Sequence, residues 1–108
     1  MSRTTAIQRL NDALRSQLTG GRLMLTPGVS QLAPLDRLAV LNLMRDFSAF
    51  TPDNDPHGEH DFGSVEHKGT RYFWKIDYYD LQLAMHSPDP ADPAVTVRVL
   101  TLMRADEY

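Results

Sequence analysis

Between Thr51 and Gly63 the chain gathers four carboxylates (Asp53, Asp55, Glu59, Asp61), two imidazoles (His57, His60), two prolines and two glycines. Oxygen and imidazole donors at such short spacing suit a hard or borderline divalent cation. The spacing fits no common metal loop, however. Counted from Asp53, Gly58 falls where an EF-hand has its glycine, but Ser64 stands where the bidentate glutamate belongs. No His-Glu-x-x-His pair occurs, since Glu59 precedes His60 and the next histidine is His67. Absence of cysteine excludes disulfides, thiolate catalysis and thiolate-bound zinc. A divalent cation is therefore a secondary expectation here, and no other cofactor is expected.

General acid–base chemistry is the second possibility. His60 titrates near neutrality when unperturbed (about 6.5) and has Glu59 and Asp61 as neighbours. If the strand from Asp61 pairs with the strand from Arg71, then Lys75 and Asp77 come near His60. Such a constellation could abstract a proton or polarise a phosphate. No nucleophile elbow, phosphate loop or dinucleotide fingerprint accompanies it. The aromatic set Tyr72, Phe73, Trp74, Tyr78 and Tyr79 could stack on bases. Acidic rather than basic neighbours favour reading it as the core side of a sheet.

The elements that must position these residues follow from periodicity. Thr4 or Thr5 can cap a helix with Ile7, Leu10, Leu14 and Leu18 on one face, ending at Gly20-Gly21. Residues 22–26 form a short extended run closed by Pro27-Gly28. Pro34 opens a second helix to Phe50 whose apolar positions wrap beyond one stripe, predicting burial. Strands are predicted over 61–66, 71–78 and 81–85, with Lys68-Gly69 as a hairpin turn and Asp80 in a second turn. After the rigid run from Ser87 to Pro93, Asp92 and Pro93 can open a last helix bearing Val95, Val99, Leu102 and Met103. The reading is an α+β domain of order α-β-α-β-β-β-α, with a mainly antiparallel four-stranded sheet covered by helices.

At 108 residues the chain has room for one domain, and it carries no long apolar run that would suggest a signal peptide or membrane span. Its net charge of −3 is unevenly spread. Residues 1–52 hold six arginines against three aspartates, while residues 53–92 hold nine acids against Lys68, Arg71 and Lys75. The acidic centre disfavours nucleic acid and membrane, and favours cations or a basic protein surface.

Asn54-Asp55-Pro56, the run from Gly58 to Gly63, the run from Phe73 to Asp80, the run from Ser87 to Pro93 and the tail from Arg98 to Met103 resemble a bacterial family catalogued as domain of unknown function 3768. The likeness extends to Leu10-Asn11-Asp12 and Gly20-Gly21. It implies a small stand-alone bacterial protein, often encoded on plasmids and other mobile DNA, with no known activity. Where this chain has His57 the family pattern carries tyrosine, which leaves His60 as the motif's imidazole. The motif residues open to function are Asp55, Glu59, His60, Asp61, Lys75, Asp77 and Asp80. Together these readings predict a cytoplasmic interaction protein. Its acidic loop over 51–63 and a sheet edge, through Asp53, Asp55, Glu59, His60, Asp61, Asp77 and Asp80, would bind a basic surface of a host defence or nucleic-acid-handling protein. The rival expectation is a metal-binding or acid–base enzyme centred on His60 with Glu59, Asp61, Lys75 and Asp77.

Overall fold

The alternation of Thr70–Tyr79 organises the chain around it. In the computed structural model, which describes residues 2–108, this segment is the ten-residue strand β3, and every second side chain from Tyr72 to Tyr78 is buried. Before it in the chain come α1 (Arg3–Gln17), β1 (Arg22–Leu25), the short α2 (Pro27–Ser30), α3 (Pro34–Asp46) and β2 (Phe62–His67). After it come β4 (Val97–Arg104) and a 3-10 turn at Ala105–Glu107. The sheet order is β1-β4-β3-β2, with β1 and β4 parallel and the other pairs antiparallel. The α+β class with four strands is thus observed.

Tyr72, Trp74 and Ile76 of β3, with Leu100 and Leu102 of β4, form one sheet face. Ile7 and Leu14 of α1 and Val40 and Met44 of α3 close over it as the core. The opposite face presents Phe73, Lys75, Asp77 and Tyr79, and Tyr108 lies edge-on to Phe62 and Phe73 there. Lys68 and Gly69 both take positive φ, the geometry of a two-residue turn matched to strand twist, and join His67 to Thr70.

Three expectations are overturned. The predicted last helix is the strand β4. Val95, Val99 and Leu102 do recur at helical spacing, but Val97, Val99 and Thr101 alternate with Arg98, Leu100 and Leu102. The β-branched residues fit a pleated surface better than a helical turn. Asp92 makes only a local turn, accepting from the Ala94 N–H at 2.9 Å. Second, residues 81–85 are not a strand. They form a loop in which Leu83 N–H donates to the Asp80 carbonyl and Ala84 N–H to the Asp80 carboxylate, with a single bridge from Tyr79 to His86.

Third, α3 ends at Asp46 rather than Phe50, and Leu35, Leu38 and Leu43 stay exposed on it. The cause of the early stop lies on another helix. Buried Arg15 donates to the carbonyls of Met44, Arg45 and Phe47 at 3.2, 3.0 and 2.8 Å, capping the end of α3 with a guanidinium. Smaller differences concern α1. Its N-cap is Ser2, which accepts from Thr5 N–H, and its left-handed C-cap residue is Leu18 rather than a glycine.

Candidate functional site: two clefts around Tyr78 and His86

The segment 51–63 folds back over α1 and is fixed there by His60. Its backbone takes φ 55°, a conformation histidine visits more readily than bulky residues do. Its ring stacks on Phe50 at 3.7 Å. Its Nδ1 donates to Asp12 at 2.8 Å, and its own N–H donates to Asp55 at 3.1 Å. The Nε2–Asp55 distance of 3.6 Å is too long for a direct bond. With its side chain only 6% exposed, Asp55 is a loop brace rather than a free ligand. His60 and Asp55 therefore hold the loop in place.

Beside this brace runs a buried polar relay. Asn11 of α1, fully buried, donates to the Tyr78 hydroxyl at 2.7 Å and to the Glu59 carbonyl at 2.9 Å. Tyr78 in turn donates to Glu59 Oε1 at 2.9 Å. Arg98 Nε donates to Asn11 Oδ1 at 2.9 Å, its Nη2 donates to the Pro90 carbonyl, and the guanidinium sits over the Tyr78 ring at 5.1 Å. Burial lowers the Arg98 pKa, and burial followed by the neighbouring Glu59 carboxylate pushes Tyr78 well above its ordinary range. Tyr78 therefore stays a neutral donor, and the relay fixes where Glu59 points.

Two clefts meet at Tyr78 and His86. One, of about 320 Å³, is lined by Asp61, Ile76, Asp77, Tyr79 and these two rings. The other, of about 350 Å³, adds Arg3, Ile7, Glu59, Ser87 and Pro90. Asp61 is half-buried in the first, and its pKa is raised by burial, then by the nearby carboxylates of Glu59 and Asp55. Among the described residues, no Lys, Arg or His lies within ion-pairing distance of Asp53, Glu59, Asp61 or Asp80. Asp53 is exposed on the loop. Asp80 spends its carboxylate on the Ala84 N–H.

The constellation expected of an acid–base enzyme does not assemble. Lys75 and Asp77 pair with each other at 2.9 Å on the face of β3 opposite Tyr78, because strand side chains alternate. His60 packs on the helix side, so the sheet stands between it and Lys75. Among the described residues, no three His, Asp or Glu side chains gather as a metal site would require. His57 is exposed at the rim of a third depression with Phe50 and Pro52.

Sequence reasoning read Tyr78 only as one of the aromatic core residues of the sheet, and it did not single out Asn11, His86 or Arg98. For Arg98 a signal existed: a lone charge at the inward position of an alternating strand. Asn11 carried none, because its three bonds come from a strand, a loop and a second strand.

No helix among the described residues is long and apolar enough to cross a membrane. Comparison with curated proteins and with solved structures returned no match. A family model does match, from Leu25 onwards, so that both clefts except Arg3 and Ile7 lie within it while Asn11, Asp12 and Arg15 lie outside. On that match over residues 25–107, the chain belongs to the family described as Protein of unknown function (DUF3768).

Proposed function

We propose that the protein is an interaction module that occupies, and so blocks, a basic surface on another protein. The observation that carries this reading is Asp61. It is a half-buried carboxylate on a cleft wall, near the carboxylates of Glu59 and Asp55, with no ion-pair partner within contact distance among the described residues. An ammonium or guanidinium from a partner would offset their repulsion and gain a charge-assisted hydrogen bond. Glu59, oriented by Tyr78, supplies a second acceptor in the adjoining cleft. His60 and Asp55 serve the fold by holding the loop that delivers both.

Proteins that handle nucleic acid expose basic surface, so a host defence or replication factor met in mobile-element biology is the partner class we propose. Nucleic acid itself would be repelled by the same carboxylates. The test is capture from a bacterial lysate on immobilised protein at low and moderate salt, with wild type beside an Asp61→Asn variant. The reading expects a partner that salt releases and that the variant retains poorly. If wild type retains no salt-sensitive protein, the reading fails.

A further inference from the structure

The loop that failed to be a strand is the most unusual surface of the molecule. Leu81, Leu83 and Met85 are 57%, 42% and 72% exposed, and all three lie on one short loop. The loop is held in a single shape. Asp80 N–H donates to the Met85 carbonyl, Leu83 N–H to the Asp80 carbonyl, and Ala84 N–H to the Asp80 carboxylate. Ser87 N–H then donates to the Tyr78 carbonyl and closes its base. Asp80 is thus a positioning residue for the loop rather than a ligand.

Leu83 sits at φ 58°, where a leucine is strained and glycine or asparagine would be at ease. At 42% exposed the side chain is only partly covered, so burial repays little of that strain. His86, at the end of the loop, lines both acidic clefts. Between Ile76 and Val97 the chain has four aspartates and neither lysine nor arginine. Asp77 and Asp89 are held by Lys75 and Arg3, so the negative charge offered beside the apolar tip is that of Glu59 and Asp61 in the two clefts that meet at His86.

We propose that Leu81, Leu83 and Met85 together with the clefts holding Glu59 and Asp61 form the docking surface for an amphipathic basic segment of the partner protein. Its apolar residues would cover the tip while its Lys or Arg side chains enter the clefts. This rests on the interaction reading above and specifies the partner's chemistry. The charge selects the occupant. An anionic membrane would take up the apolar tip but meet the carboxylates of the clefts, and a second copy would bring the same sign of charge to the same face.

The test uses the full chain and three labelled peptides: one with lysines and leucines interspersed, its Lys→Glu twin and its Leu→Ser twin. Fluorescence anisotropy would show binding of the first and at least tenfold weaker binding of each twin. A Leu81→Ser/Leu83→Gly/Met85→Ser variant and an Asp61→Asn variant would each lose about tenfold for the first peptide, whereas Leu35→Ser, more exposed still on α3, would not. Because the three loop residues are exposed and Leu83 is strained, the triple variant keeps the wild-type melting temperature, so lost binding cannot be blamed on unfolding. The same triple variant enters the lysate capture. A salt-sensitive partner that it still retains overturns this inference while leaving the interaction reading intact, and no partner for wild type overturns that reading itself. Equal binding of the Lys→Glu twin, binding to phosphatidylglycerol vesicles through the loop, or a dimer that the triple variant abolishes would also overturn it.

Discussion

Asn11 shows how one buried amide can decide the shape of a surface. It spends both hydrogens and its oxygen on Glu59, Tyr78 and Arg98, so none of those groups is free to turn away. Asn11→Ala would leave a buried guanidinium and a buried hydroxyl each short of a partner, at a cost of about 2–3 kcal/mol in urea unfolding. Asp61 has the opposite standing. Its folded pKa lies above its unfolded value, so its contribution to stability is full in acid and is lost as pH rises through the folded pKa. Asp61→Asn is therefore expected to melt roughly 1–3 °C higher than wild type at neutral pH. The gap should close towards pH 4, and calorimetry at several pH values checks both signs. At Gly63, the Trp74 indole lies where a Cβ would stand, at 2.5 Å. Gly63→Ala must displace a fully buried ring and is expected to lose about 1–3 kcal/mol.

At the scale of elements, α1 does more than bury a stripe. Its Arg15 terminates α3, so the boundary of one helix is written in the sequence of another. Arg15→Gln would strip three carbonyls of a charged donor and free the end of α3, with an expected loss of about 2–3 kcal/mol. Amide exchange would show it as fraying confined to residues 43–47. The loop after β3 presents the reverse case, an element whose residues cost stability locally. Replacing Leu83 by glycine relieves a left-handed strain of about 1–2 kcal/mol and adds about 0.5–1 kcal/mol of backbone entropy. With the partial burial of Leu83 also lost, the terms offset to within about 0.5 kcal/mol, and the urea midpoint is expected to stay close to that of wild type.

For the whole molecule, the asymmetry of charge along the chain becomes an asymmetry in space. Arginines of the first half are largely consumed by structure, as Arg15 and Arg37 are on carbonyls, while Glu59 and Asp61, with no ion-pair partner among the described residues, lie around Tyr78. Partner binding should therefore weaken with added salt. It should also weaken as pH falls through the raised pKa of Asp61, because a cation selects the ionised carboxylate and protonation removes it. Titrations across pH 4–7 with wild type and Asp61→Asn would show that dependence in the first and a flatter profile in the second.

The sequence by itself determined what depends on near neighbours. The period of β3, the turn at Lys68-Gly69, the start of α3 at Pro34 and the α+β class all follow from local propensity and alternation, which the chain carries wherever it goes. It also located the acidic segment and singled out His60. Only the tertiary structure decided what depends on distant contacts. Val97 to Met103 satisfies two periodicities, and pairing between β1 and β3 chose the strand. Leu81 to Met85 alternates like a strand, yet a turn pinned by Asp80 holds it as a loop. The segment from Thr51 to Gly63 reads as a set of interchangeable ligands. Packing on α1 divides it into His60 and Asp55, which brace the loop, and Glu59 and Asp61, which are left facing the clefts, because the braces are set by Asp12 and Phe50 and the clefts by Asn11 and Tyr78.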